Sequence, residues 1–227
     1  MPRSIWNGTL TFGIVAVPVK LYAATSPKAV RFHKVHRKDL SRIRHRRICE
    51  AEDKEVPYEE IVKGYELPSG KFLQLDHDEV KAAAGDRGKV VEIREFVPAA
   101  DIDPVFIDHS YYVGPREETD AYAVLYRALE RTGRAGIGRF SFHNREYLAA
   151  VRAHRKVLLL QTLKFHDEIV PMDEFAPEAP DRNPTAKERK TAKALIDGST
   201  EDFDPAAHPD TLRDDVLELA AKKAKNA

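Results

Sequence analysis

Residues 41–49 read SRIRHRRIC, which puts Arg42, Arg44, Arg46 and Arg47 within six positions with no carboxylate among them. A guanidinium stays charged at every ordinary pH and presents a planar fork of donors matched to phosphate or carboxylate oxygens. So dense a run repels itself unless an anion outside it offsets the charge. If the chain is extended here, alternate residues face opposite ways. Arg42, Arg44 and Arg46 then share one face, and Ile43, His45 and Arg47 the other. The row rises about 6.6 Å per pair of residues, a step that permits contact with successive phosphates. Two readings are open on these residues alone. One is an arm with its arginine face on a polyanion, extended by Arg37 and Lys38. The other is a solvated loop whose charge is met by Glu50, Glu52 and Asp53.

His33, His36, His45 and Cys49 fall within 17 residues, but their spacing matches no common zinc finger. The expectation is exposed polar histidines and a small, buried Cys49. Gly133, Gly136 and Gly138 follow a helical pattern and enter a strand pattern, whereas phosphate-cradling loops run from strand to helix. They are read as a helix cap and a tight strand entry. Asp76, Asp78 and Glu79 sit beside or in the first turn of a helix-like DEVKAAAG stretch, where acids favour the helix dipole rather than acid–base work. No HExxH, GxSxG or Walker sequence occurs. The chain is therefore read as a non-enzyme with no cofactor and no metal.

The charge of these residues is placed by a wider pattern. Formal net charge is zero, yet residues 1–50 hold 11 Lys+Arg against 2 Asp+Glu, and residues 51–130 hold 9 against 19. Residues 131–170 are basic again, 8 against 3, through Arg131, Arg134, Arg139, Arg145, Arg152, Arg155 and Lys156. Such segregation in a folded chain implies a charged groove or face for a polyanion. No helix carries base-reading side chains at its N-terminus, and aromatics are not interleaved with the arginines. Sequence-independent phosphate contact is what remains. One cysteine, no apolar leader and no long apolar run point to a cytoplasmic, non-membrane protein.

The elements that must position these residues read as mainly β with helices. Leu10–Tyr22 changes apolar phase at Gly13, which predicts a bent strand with a bulge or barrel corner, and Pro18 argues against a central flat strand. Further strands are expected at Val30–His36, the arginine stretch, Gly64–Tyr65 into Lys71–Leu75, Val90–Val97, Val105–Val113, Ile137–His143 and Lys156–Leu163. Turns are expected at Pro68-Ser69-Gly70, Gly85–Gly88 and Asp103-Pro104. Short strands at this spacing indicate a sandwich or barrel. Helices are expected at Thr119–Thr132, with Ala121, Val124, Leu125, Ala128 and Leu129 inward, at Thr185–Asp197 behind a Thr185-x-x-Glu188 capping box, and at Pro209–Ala224. The domains are read as 1–170, a core with a basic arm over about 30–60, and 171–227, a linker with a short helical element.

Ordered along the chain, SIWNGTLTFGIVAVPVKLY, RIRHRRIC with EVPYEEIVKGYEL, FVPAADIDPVFIDHSYYVGP, AYAVLYRALERTGRAGIGRF, NREYL and VLLLQTL resemble a prokaryotic Ku protein over about residues 4–163. FDPAAHPDTLRDDVLELAAKKAK resembles the family's short C-terminal element, with His208-Pro209 where a Tyr/His-Asp run is expected. The resemblance implies a β-barrel with an extended bridge arm and a ring-shaped homodimer that threads the ends of double-stranded DNA. It also implies recruitment of a multidomain ATP-dependent ligase of the D type in non-homologous end joining, close to the nucleoid. The alternative is a general nucleic-acid-binding barrel without end preference. The DNA contacts expected are Arg42, Arg44, Arg46 and Arg47, then Arg37, Lys38 and Lys63, with Arg31 and Lys34 as additions.

Overall fold

A computed structural model describes residues 3–84, 89–116, 120–142, 145–172 and 183–225. Eleven strands run in chain order: β1 (Trp6–Phe12), β2 (Val15–Ala23), β3 (Ile48–Cys49), β4 (Lys54–Glu55), β5 (Lys63–Glu66), β6 (Phe72–Leu75), β7 (Val90–Pro98), β8 (Ile107–Pro115), β9 (Arg134–Phe142), β10 (Arg145–His154) and β11 (Val157–Leu163). Four α-helices accompany them: α1 (His77–Ala84), α2 (Asp120–Thr132), α3 (Ala186–Gly198) and α4 (Thr211–Lys225). Seven strands close a barrel in the order β1-β2-β8-β11-β10-β9-β7, while β3-β4 and β5-β6 are separate two-stranded hairpins. The barrel is antiparallel except where β1 meets β7. The turn expected at Gly85–Gly88 and most of the proline-rich linker lie outside the described residues.

The chain divides into two compact units, residues 1–26 with 44–170 and residues 27–43 with 171–227. The first contains the barrel. Period-two burial fills its interior, as strand geometry requires: Val17, Val19 and Leu21 from β2, Val91 from β7, Phe140 from β9, Leu158 and Leu160 from β11. Helix α2 packs against the same core through Leu125 and Leu129. Val124 is 66% exposed, and the inward places expected of it and Ala128 go to Tyr122 and Tyr126. The Tyr122 hydroxyl donates to the Val113 carbonyl at 2.6 Å and accepts from the Leu158 N–H at 3.1 Å. An aromatic ring with a polar tip thus joins the helix to two barrel strands, and burial pushes its phenol pKa up. The outer face of β11 is covered too, with Leu163 packed among Ala135, Ala150, Ile102 and Phe106.

Two expectations about the first strands change. Leu10–Tyr22 is a hairpin, not one bent strand: Phe12 pairs with Val15, and Gly13-Ile14 is the turn. Gly13 has φ of +54°, a conformation that favours glycine, and a two-residue turn reverses side-chain phase as a bulge would. Pro18 lies inside β2, opposite Thr9, where pairing with β8 has not yet begun. The missing N–H is tolerated because Pro18 stands just past the end of the β8 ladder, where its carbonyl still accepts from the Arg116 N–H at 3.0 Å. Strand β10, which the sequence reading did not separate out, pairs with both β9 and β11.

The glycines after α2 serve packing. Gly133 ends the helix, and its N–H donates to the Leu129 carbonyl at 3.0 Å. A methyl group on Gly138 would stand 2.3 Å from the Glu92 carbonyl oxygen, and one on Gly136 would stand 2.8 Å from the Ile93 side chain. Strands β7 and β9 cross too closely there for any side chain, which accounts for the glycine spacing without a nucleotide. The acids at the start of α1 serve its N-terminus: Glu79 in the first turn accepts from the Asp76 N–H at 2.9 Å.

In the second unit, Thr185 and Glu188 form the expected capping box at the start of α3. Neither α3 nor α4 buries a side chain. None of the described helices is long and apolar enough to cross a membrane.

Candidate nucleic-acid interface

Backbone dictates where the basic side chains stand. The chain from Ser41 to Arg47 is not a continuous strand: Arg42 makes a single bridge with Val35, and regular pairing starts only at Ile48. Val30–His36 is likewise not a strand beyond that bridge. The strict alternation expected of Arg42, Arg44 and Arg46 therefore does not hold, because a run this short of apolar side chains has little to bury on either face.

What organises the 27–43 segment is a tight loop. The His36 N–H donates to the Ser41 carbonyl, and the Leu40 N–H donates to the His36 carbonyl, each at 2.8 Å. Leu40 adopts φ of +57° inside it. The Asp39 carboxylate accepts from the Ser41 N–H at 3.0 Å and the Ser41 hydroxyl at 2.8 Å. Those bonds to Ser41 hold its pKa below the usual carboxylate value. His36 Nδ1 sits 3.1 Å from the same carboxylate. The acid is thus spent on the loop, and Arg37 and Lys38 are carried at its tip. Arg31, Lys34, Arg37, Lys38 and Arg42 are all exposed.

Arg44, Arg46, Arg47 and Lys63 are exposed on the barrel-bearing unit. Here the β3-β4 hairpin sets the geometry. The Val56 N–H donates to the Arg47 carbonyl at 2.8 Å, extending the hairpin by one pair. That brings Tyr58 beneath Arg47, whose guanidinium lies 5.2 Å from the ring centroid. Arg46 Nη1 stands 3.2 Å from Glu55, with both side chains more than half exposed. The acids named from sequence as neutralisers were Glu50, Glu52 and Asp53; the one used is Glu55, and it takes Arg46 alone. Arg31, Lys34, Arg37, Lys38, Arg42, Arg44 and Lys63 have no ion-pair partner among the described residues. Lys63 opens the β5-β6 hairpin opposite Leu75.

An exposed ion pair contributes about 0–1 kcal/mol, and an exposed cation–π contact about 0.5–1 kcal/mol. Neither would hold an arginine against a polyanion. Each unit by itself offers exposed cations, most of them without an acidic partner among the described residues. No group of three or more His, Cys, Asp or Glu side chains that could hold a metal occurs among the described residues.

The arginines of the second basic segment, residues 131–170, fall into two groups by their neighbours. Arg139 bonds Glu146 at 3.3 Å and lies over Phe165, and Arg145 lies over Tyr147. Arg134, Arg152 and Arg155 have no acidic partner among the described residues, and they line one pocket. The signal in the sequence was only their charge, because they come from a strand start, a strand end and a turn.

A family model for the Ku70/Ku80 beta-barrel domain matches residues 11–194. A "Non-homologous end joining protein Ku" from Anaeromyxobacter sp. (strain K) is 42% identical over 228 residues, covering 99% of this chain and 76% of the relative. The protein of that name from Mycobacterium tuberculosis (strain ATCC 25618 / H37Rv) is 36% identical over 230 residues, covering 97% and 82%. That from Bacillus subtilis (strain 168) is 34% identical over 227 residues, covering 99% and 73%. Among solved structures, the SPOC domain of human PHD-finger protein 3 reaches a TM-score of 0.34 at 12% identity, covering 71% of this chain and 95% of that one, a likeness too slight to bear on the fold.

Proposed function

The chain belongs to the bacterial Ku family, and from that membership we propose that it binds the ends of double-stranded DNA without regard to sequence, as a scaffold in non-homologous end joining. The observation that carries the reading is the exposed basic set Arg31, Lys34, Arg37, Lys38, Arg42, Arg44, Arg46, Arg47 and Lys63, in which Arg46 alone is paired to an acid. Unneutralised arginines without base-reading side chains favour phosphate contact, which is strong, salt-dependent and blind to sequence.

The working species is a homodimer that closes a ring on the duplex. Support comes from the two hairpins outside the barrel. A lone two-stranded hairpin is marginal in water. Here β5-β6 exposes Tyr65, Phe72 and Leu73 at 58%, 71% and 50%. Apolar side chains on so slight an element call for a covering partner, and a second copy of the chain supplies one. A ring also explains end selectivity without base contact, since it can be threaded only from a free end. The dimer acts in the cytoplasm beside the nucleoid, is not itself an enzyme, and recruits an ATP-dependent ligase of the D type.

Binding to linear and covalently closed circular DNA of one sequence tests the reading, with dimer mass measured by light scattering. A dimer that loads on the linear form and poorly on the circle is expected. Equal binding to both forms would replace the ring with a general nucleic-acid-binding barrel. Stimulation of ligation by a purified D-type ligase tests the recruitment step separately.

A further inference from the structure

At one end of the barrel, where α2 stops and β9 begins, lies a pocket of about 300 Å³. Its walls are Leu129, Ala99 and Ala153, with Glu130 on one side and three arginines, Arg134, Arg152 and Arg155. The backbone holds them together from distant positions. The Ala99 N–H donates to the Gly133 carbonyl at 3.0 Å, which ties the end of β7 to the start of β9. Arg152 pairs with Ala135 across β10 and β9. Arg155, with φ of +51°, occupies the two-residue turn into β11, and its carbonyl shares the single Tyr126 hydroxyl proton with a Glu130 carboxylate oxygen.

Two features distinguish this pocket from an ordinary basic surface. Glu130, the acid that could neutralise it, is engaged elsewhere: it accepts from Tyr126 at 2.6 Å and from Arg127 at 2.8 Å. Those two hydrogen bonds, Tyr126 first, hold its carboxyl below the usual range. Second, Arg152 Nε is shielded from solvent and has no hydrogen-bond partner among the described residues. A buried charged donor without an acceptor is costly, and folded proteins leave very few. An anion in the pocket would supply that acceptor.

We propose that this pocket is a second phosphate site, separate from the 41–47 run, that receives a phosphate group of bound DNA. The inference rests on the DNA reading above. A carboxylate is satisfied by one bidentate guanidinium, whereas a phosphate offers oxygens enough for several. Three arginines around one concavity fit the phosphate. It comes either from the 5′ terminus of a strand, as a monoester, or from the backbone, as a diester.

The test compares the wild-type full chain with Arg152→Gln and with Arg134→Gln/Arg155→Gln, whose residues are exposed and dispensable for packing. Each is checked by thermal unfolding. The first arm titrates inorganic phosphate at constant ionic strength and follows the Arg152 Nε–Hε resonance. It should shift in the wild type and not in the double variant. The second arm measures affinity and salt slope for short duplexes with 5′-phosphate or 5′-hydroxyl ends. A terminal source gives a wild-type preference for the phosphorylated end that both variants lose. A backbone source gives no such preference, and a salt slope lower by up to about 0.9 in the variants.

Variants equal to wild type in both arms overturn the proposal while the DNA reading stands. A resonance that moves with a polyglutamate peptide and not with phosphate also overturns it, in favour of an acidic protein segment. If the wild type binds neither duplex, the DNA reading fails. The second-site proposal falls with it, and the first arm then shows only whether the pocket binds free phosphate.

Discussion

Substituting Arg42, Arg44 and Arg46 together by glutamine is expected to weaken binding to every duplex sequence alike, by an amount that depends on salt. Arg42 and Arg44 are exposed and have no acidic partner among the described residues, so each can meet a phosphate without giving up an interaction. Arg46 must first leave Glu55, 3.2 Å away, an exposed pair contributing about 0–1 kcal/mol. If all three contact phosphates, log K against log salt loses about 0.9 per contact, or roughly 2.7 in slope. Between about 50 and 200 mM salt that amounts to a roughly 40-fold change in the ratio of wild-type to variant affinity, largest at low salt. The residues lie outside regular strands and bury nothing, so thermal unfolding should stay within about 0.5 kcal/mol of wild type. Fluorescence anisotropy on two unrelated duplexes at four salt concentrations reads the slope. Parallel lines for wild type and variant would refute direct phosphate contact by these arginines, and a loss confined to one sequence would refute sequence-independent contact.

Further outcomes follow from the same geometry. Glu55→Gln releases Arg46 and removes a nearby negative charge, so duplex affinity at low salt should rise by up to about fivefold, as the same anisotropy titration would show. Gly138→Ala places a methyl group 2.3 Å from the Glu92 carbonyl, backbone that cannot yield cheaply. A loss of about 3 kcal/mol or more is expected in urea unfolding, with an unchanged stability the contrary result. Asp108 is held below its usual pKa of 3.8, first by its hydrogen bond to His109 and also by Lys164. A depressed carboxylate stabilises above the unfolded pKa and loses that contribution as pH falls through the folded one. The stability gap between wild type and Asp108→Asn should therefore be full at about pH 7 and close below about pH 3.8, and a gap constant across that range would contradict it.

Much of the fold was legible in side-chain pattern. The β2 alternation of Val17, Val19 and Leu21, the Thr185 capping box and the β5-β6 hairpin around Pro68-Ser69-Gly70 all appear where local chemistry puts them. Errors came where one pattern has two physical sources. A phase change at Gly13 marks a bulge or a two-residue turn equally well, and only pairing of Phe12 with Val15 separates them. Strand β10 lacks a clear alternation because Ala149, Ala150 and Ala153 stand among its ten residues, and alanine has no strand signature of its own. Val124 is apolar at helical spacing, yet the inward places go to the tyrosines, whose hydroxyls reach the carbonyls of Val113 in β8 and Arg155 in the turn before β11.

The functional surface divides along a similar line. Segregated charge, a single cysteine, no catalytic motif and an ordered run of family-like segments follow from residue order alone, because composition and local spacing do not depend on how the chain closes. Which arginines are free does depend on it. Arg46 meets Glu55 and Arg47 meets Tyr58 because the β3-β4 hairpin aligns them, while Arg134, Arg152 and Arg155 share a pocket because β9, β10 and α2 end at one rim. Charge is a property of the residue, but whether a charge is already spent is a distance, and barrel closure sets that distance between positions far apart in the chain.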